Sequence, residues 1–305
     1  MKRQWTVFLV LASAFLGMGL AAAQVSDLQL DIINETNETD NVTIENITEQ
    51  EILISQEDGG DVRWLLPGPR ELDPEIFGTP DEPLGFEEGI GVPVEDRNVN
   101  EDGTAFTNTS VNTAFSNEYE QVNGTFETRM VDITKVDDPN SNDTAEAELI
   151  FTDPTGENEY RVVLTDIIPV GPTHPFMGGV MIDSYLHGKS SIGDRMVPTA
   201  YAYGALWGVG ELYINDELVS DNRVVHIMAT EQLRTTDEEF RLLFDDELPH
   251  EGIHTHIVLP DLVVTPDGPM QEPVPTGYML PDGTEQPFMH VLFEDTEIQG
   301  LDVLE

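Results

Sequence analysis

The chain has 305 residues, of which 59 are acidic and 13 basic, giving a formal net charge of −46 at pH 7; it has no cysteine. Phosphate binding needs a basic surface, so this charge excludes nucleic acid as a partner, and it excludes binding to an anionic membrane surface for the same reason. The lack of cysteine rules out disulfides and thiolate metal sites. Hydrophobic residues still make up 39% of the chain, which is enough for a folded core.

The N-terminus has the pattern of a secretory signal. Lys2 and Arg3 precede an apolar stretch over residues 5–23 that ends in three alanines. A basic start, an apolar middle and a small-residue end predict a cleaved signal peptide over residues 1–23. Because the apolar stretch approaches the length of a bilayer crossing, an uncleaved membrane tether through residues 5–23 stays open. Both interpretations predict an extracellular or cell-surface protein.

The balance of charges also indicates the solvent. Only three lysines occur in the chain, at Lys2, Lys135 and Lys189. Such an acidic surface repels itself at low salt, whereas molar salt shortens the Debye length to about 3 Å and screens the repulsion. We therefore predict the exported protein of a halophile, with an ordinary acidic secreted protein as the alternative.

Residues 24–98 are predicted to form a disordered acidic arm. Four Asn-x-Ser/Thr sequons lie within thirteen residues, at Asn34, Asn37, Asn41 and Asn46. Glycans at these positions would hold the segment at the surface as an extended stalk. From residue 57 to 97 the chain is rich in glycine, proline and acid, which opposes regular structure and indicates a linker or a coil wrapped on the domain. Partial docking of this stretch is favoured by its large apolar residues, Trp64, Leu65, Leu66, Ile76 and Phe77.

Residues 99–305 are predicted to form an antiparallel all-β sandwich or a barrel-like domain. Apolar residues alternate over 147–151 and 160–164 on either side of a turn at 153–156, which predicts a hairpin. Only residues 230–239 carry a pattern that fits a short helix. Further strands are predicted at 179–186, 199–214, 223–228, 240–244, 253–259 and 288–293.

The histidines suggest a metal site within this domain. All seven lie in the second half of the chain; three of the predicted strands carry at least one, and His187 directly follows a fourth. Residues two apart on a strand share a face, and imidazole binds zinc and copper. Asp183, two and four residues from Tyr185 and His187, is predicted to share a face with His187 and to add a carboxylate. The predicted ligands are His254, His256 and His290, followed by His226 and His187.

The metal would be copper or zinc, with a slight preference for copper because several methionines lie near these strands. The function predicted first is therefore a secreted or surface-tethered metal-binding β domain. Histidines also serve as ordinary hydrogen-bonding residues at sheet ends. A non-catalytic, glycosylated surface or adhesion module is accordingly the alternative function.

A third interpretation uses the same region as an enzyme. The residues from His250 to His254 match the His-Glu-x-x-His pattern of zinc hydrolases, in which two histidines on one helix face bind zinc and Glu251 activates a water. Gly252 and the β-branched residues that follow oppose a helix here. Glu251 is a catalytic candidate only in this interpretation.

One aromatic stripe is a candidate ligand surface. Tyr201, Tyr203 and Trp207 would share one face of a regular strand, where aromatic rings bind sugars. Aromatic strand faces more often belong to a core, so a core role is the prediction here.

Overall fold

The computed structural model describes residues 50–84, 94–109, 116–133, 142–168, 179–190, 192–193 and 197–304. The predicted signal, the four clustered sequons and His174 lie outside these residues. Almost all regular structure is antiparallel β, which confirms the predicted fold class. The strands are β1 (Gln50–Gln56), β2 (Val62–Leu65), β3 (Pro69–Glu71), β4 (Asn98–Val99), β5 (Phe106–Thr109), β6 (Tyr119–Val122), β7 (Gly124–Asp132), β8 (Thr144–Thr152), β9 (Glu159–Ile167), β10 (Val180–Leu186), β11 (Ala200–Ile214), β12 (Glu217–Thr230), β13 (His254–Leu259), β14 (Leu262–Thr265), β15 (Gly268–Gln271), β16 (Met289–Phe293) and β17 (Glu297–Gln299).

One large sheet contains most of these strands. Its order is β17-β1-β7-β8-β9-β11-β12-β13-β16-β2-β6, with β10 paired to β11 and the β14–β15 hairpin joined to β12. A smaller sheet has the order β3-β5-β4. The one α-helix in the described residues, α1, covers Pro74–Phe77, and short 3-10 turns cover Val94–Asp96, Gly188–Ser190 and Asp245–Glu247.

Two hairpins organise the middle of the sheet. The predicted β8–β9 hairpin is confirmed, with Thr152 paired to Glu159 across the turn. The longer β11–β12 hairpin turns at Asn215 and Asp216, whose φ angles are 50° and 67°. Two successive residues with positive φ are what a tight hairpin turn requires, and Asn and Asp tolerate this conformation best after glycine.

The large sheet curls into a half-barrel. Phe126 on β7 packs against Phe293 on β16 with ring centroids 4.7 Å apart, although these strands lie six positions apart in the sheet order. Strands β1 and β2 lie near opposite ends of that order, and the curl brings these ends close together. The link between them, over residues 57–61, is therefore short. Gln56 closes the gap by donating from Nε2 to the backbone oxygen of Asp61 at 3.1 Å. The concave side of the curl holds the main core.

The folded domain begins earlier than residue 99. Strands β1 and β2 belong to the large sheet, and Ile52, Ile54 and Trp64 on them are fully buried. The prediction of an arm over 24–98 is therefore wrong from Gln50 onward in the described residues. The alternation in β1 spans only seven residues and is followed by a proline-rich stretch, so it carried a weak signal.

Two smaller predictions are also wrong. Residues 230–239 contain no helix, and residues 240–244 form no strand beyond an isolated bridge between Arg234 and Leu242. This segment instead crosses the outer face of the sheet. Its Leu233 and Leu242 pack with Met228 of β12, so the outer face is covered there rather than solvated.

Candidate metal site on the covered outer face

The histidines meet on three neighbouring strands. His226 lies on β12, His254 and His256 lie on β13, and His290 lies on β16. In the strand register, Val258 is paired with His226 on one side and with His290 on the other. Since alternate residues share a face, His254, His256 and Val258 project together. We call His226, His254, His256 and His290 the histidine row.

The row is closely spaced and buried. The ring centroids of His226 and His256 are 5.7 Å apart, and those of His256 and His290 are 5.4 Å apart. Each residue of the row is at most 7% exposed, and His187, just after β10, is 8% exposed. The structure therefore brings together the four strand-borne histidines on one covered face.

Packing fixes the orientation of His226. Its ring stacks on Trp207 at a centroid distance of 4.3 Å and an interplanar angle of 16°. Its Nδ1 lies 2.7 Å from the carbonyl oxygen of Leu206. A carbonyl oxygen only accepts, so Nδ1 carries the proton and Nε2 presents a lone pair. Metal-binding histidines are commonly held in this way, with one nitrogen bonded to a backbone carbonyl.

Two members of the row have unsatisfied nitrogens. His256 Nε2 and both ring nitrogens of His254 are buried and have no hydrogen-bond partner within the described parts of the chain. His254 Nδ1 lies 3.7 Å from Glu294 Oε2, which is too long for a hydrogen bond. A buried polar atom without a partner costs about 1–3 kcal/mol. A ligand bound to these nitrogens would therefore offset this cost.

Burial keeps His226 and His256 uncharged at neutral pH. It lowers the pKa of His226 to about 4, against a weaker opposing effect of the bond to Leu206. Burial also holds the pKa of His256 well below its usual range, and the neighbouring His290, His226, His254 and His187 lower it further. The neutral imidazole is the form that binds metals.

Asp183 does not join His187. Asp183 has φ 55° and is exposed, and its Oδ1 accepts a hydrogen bond of 2.6 Å from the hydroxyl of Tyr201. Tyr185 is also exposed, whereas His187 is buried. The left-handed backbone at Asp183 breaks the regular alternation of β10, so the prediction of a shared carboxylate is wrong.

The helical zinc-hydrolase pattern is also absent. Strand β13 begins at His254, and residues 249–253 are not helical, with φ 54° at His250 and 71° at Gly252. His250 is exposed and its Nδ1 lies 2.9 Å from Glu231 Oε2, while Glu251 is exposed. His250 and His254 therefore do not share a helix face, and the geometry that assigns Glu251 a catalytic role is missing.

The aromatic residues of β11 belong to cores. A bulge between Ala202 and Gly204 interrupts the alternation of the strand. Tyr203 consequently points into the concave core, and Trp207 packs with Val224 and Leu262 on the other side. The core prediction is confirmed for these two buried rings.

The described residues contain no preformed coordination sphere for a metal ion, and the comparisons with known proteins found no match for this chain. Among them, no three His, Cys, Asp or Glu side chains are arranged to hold a metal ion as they stand. Within the same residues, no helix is both long and apolar enough to cross a bilayer. In comparisons with known proteins, no family model, curated protein or solved structure matches this chain.

Proposed function

We propose that this chain is an exported metal-binding β domain whose site is the histidine row. The observation that carries the proposal is the set of buried nitrogens on His254 and His256 that have no hydrogen-bond partner among the described residues. A metal ion would satisfy them and offset the cost of burying them. The uncharged state of His226 and His256 also favours a cation, because neutral imidazoles do not repel it.

The spacing of the rings supports a shared ion. Two imidazoles bound to one zinc ion at 2.0–2.1 Å hold their ring centres roughly 5 Å apart. The distances of 5.7 Å and 5.4 Å around His256 are close to this value. A shared ion could therefore be bound after the histidine side chains rotate about their χ angles, without a change in the register of the strands that carry them.

A methionine beside the row favours copper over zinc. Met228 is paired directly opposite His256 on β12, so the two side chains lie on the same face. Thioether sulfur is a soft ligand that prefers Cu(I) and adds little to zinc binding. Replacing Met228 with Leu keeps the volume, so it should weaken Cu(I) binding in a competition assay and leave zinc binding unchanged. Equal loss of both metals would indicate a packing role for Met228.

Elemental analysis tests the site directly. We expect about one equivalent of copper or zinc in protein purified from high salt without chelator, or after reconstitution with either ion. His256→Gln should abolish this uptake, because it removes the central ring of the row. The matched control is His250→Gln, which changes an exposed histidine outside the row and should retain the metal. A metal-free wild-type protein after reconstitution, or unchanged uptake in His256→Gln with the fold intact by circular dichroism, would contradict the proposal.

A non-catalytic surface module is the second candidate. It is favoured by the packing of His226, whose stack on Trp207 and bond to Leu206 suit a structural residue. In that case the row contributes only to folding, and the same elemental analysis finds no bound metal.

A further inference from the structure

Three further Asn-x-Ser/Thr sequons lie within the folded domain, at Asn108, Asn123 and Asn142. The whole chain has 15 asparagines, and seven of them are followed two positions later by serine or threonine. Because 37 of the 305 residues are serine or threonine, random placement would give about two sequons. The chain is therefore enriched in acceptor sites for N-linked glycans, and the fold decides which of the three in the domain are accessible.

Asn123 presents its side-chain amide at the surface. It lies in the turn between β6 and β7 and is exposed. Its backbone is fixed against β8, because its N–H donates to Thr152 Oγ1 at 3.3 Å and its carbonyl oxygen accepts from the N–H of Thr152 at 2.9 Å. The amide itself has no hydrogen bond to the described residues. Strand β6 is also the last in the sheet order, so no described strand lies beyond it to obstruct a glycan.

Asn142 is held at the surface in a similar way. It lies two residues before the start of β8 and is exposed, as is Thr144, the third residue of its sequon. The backbone is fixed by Asp143 between them, whose carboxylate accepts hydrogen bonds from the N–H groups of Ile133 at 2.9 Å and Val180 at 3.2 Å. The amide of Asn142 has no partner within the part of the chain that the structure describes. Both ends of this sequon are therefore open to solvent.

Asn108 differs from both because it lies inside a sheet. Its strand, β5, is the central strand of the smaller sheet, with β3 on one side and β4 on the other. Since alternate residues share a face, Asn108 lies on the same face as Phe106, which packs with Leu72 and Phe77. Asn108 is itself partly buried. A glycan is bulky and belongs in solvent, so this position does not suit one.

We propose that Asn123 and Asn142 carry N-linked glycans and that Asn108 does not. The co-reactant is a lipid-linked oligosaccharide, whose first sugar is joined through C1 to a phosphate oxygen. The asparagine Nδ2 attacks C1, so that a C–N bond forms, the C1–O bond breaks and the lipid phosphate leaves. The amide loses one proton, and nothing is oxidised or reduced. The proposal rests on export of the chain, since such acceptors belong to surface loops of secreted proteins, and not on metal binding.

Peptide mass spectrometry of the full chain, recovered outside the cells that produce it, tests these sites. We expect the peptides with Asn123 and Asn142 to carry a sugar mass on asparagine, and the peptide with Asn108 to be unmodified. Thr125→Ala should abolish modification of Asn123, because it removes the hydroxyl of the sequon and leaves the asparagine in place. The matched control is Thr125→Ser, which keeps the hydroxyl and should keep the glycan. Thr144→Ala and Thr144→Ser give the same comparison for Asn142.

The outcomes distinguish a failure of glycosylation from a failure of export. Exported protein in which Asn123 or Asn142 is unmodified would overturn the proposal and leave export intact. A chain that stays inside the cells would overturn it together with export, while its metal content is measured separately. A glycan on Asn108, or one that persists on Asn123 in Thr125→Ala, would also overturn it, because neither the fold nor the sequon would then select the sites. If a variant is not exported, the wild-type peptides alone decide.

Discussion

Strand β13 and the part of β12 from Arg223 to Thr230 are buried on both faces, but the two faces carry different chemistry. Toward the concave core they present Ile227 and Ile257, which are fully buried and paired with each other in the register. One residue away on each strand, His226 and His256 face the covered outer side. The same backbone thus supports an apolar layer on one side and a layer of imidazoles on the other.

The difference between these layers distinguishes residues that stabilise the fold from residues that we propose bind a ligand. Apolar area removed from water stabilises a fold by about 25 cal/mol per Å², so the concave layer is explained by packing alone. A buried imidazole with an unpartnered nitrogen loses hydration and gains no hydrogen bond in return. The outer layer is therefore the part of the sheet whose buried imidazoles a bound ligand would stabilise.

The largest effect is expected in the concave layer. Ile257→Ala should destabilise the protein by about 3 kcal/mol, through lost burial and the cavity that remains. Denaturant unfolding in high salt measures this change. Val258→Ala, one residue along on the outer face, removes fewer atoms and should cost less. If Val258→Ala were the more damaging variant, the outer layer would be the true core and the comparison would fail.

The sequence predicted four strands of the second half well, because their patterns are regular. It placed β10, β11, β13 and β16 within one residue of their observed ends, but it gave only part of β12. The strands that it missed include β1, β2, β14, β15 and β17, since short strands depend on distant partners for their stability and leave a weak local pattern. It also predicted a strand over 240–244, although Phe240 is held by tertiary contacts with Tyr119, Arg63 and Arg234.

The site was predictable only in part for a similar reason. The spacing of His254 and His256 is a local property of one strand, so their shared face could be read directly. The neighbours of His256 are set by the register of β12 and β16, which no local pattern specifies.

The next largest effect is expected in the pH dependence of the free energy of unfolding, which depends on the histidines of the outer layer. The pKa of His226 is about 4 in the folded protein against an ordinary value of 6.5. Between these two pH values the unfolded chain binds more protons than the folded protein does. The free energy of unfolding is therefore highest above pH 6.5 and decreases as the pH falls toward 4. For His226 alone, lowering the pH from 6.5 to 5 should cost about 2 kcal/mol of unfolding free energy, and His256, whose pKa also lies well below 6.5, adds a further loss. Denaturant unfolding at the two pH values, with chelator and constant salt, measures it.

Variants assign part of this loss to His226. His226→Gln removes one of these two titrating groups and should reduce the dependence between pH 6.5 and 5 by the part that belongs to His226, whereas His250→Gln should keep the wild-type slope. A wild-type slope in His226→Gln would place the titration elsewhere, in His256 or in carboxylates.

The smallest effect is the most informative for the comparison. His256→Leu replaces a buried ring that has an unpartnered Nε2 with an apolar side chain. In metal-free protein it should raise the free energy of unfolding by about 1 kcal/mol, because the unsatisfied nitrogen disappears. The same variant should take up no metal. A protein that becomes more stable as it loses its ligand would identify His256 as a residue held for binding at the expense of stability. Destabilisation of the metal-free protein would instead show that the imidazole contributes to packing, and the two faces of the sheet would then differ less than their chemistry suggests.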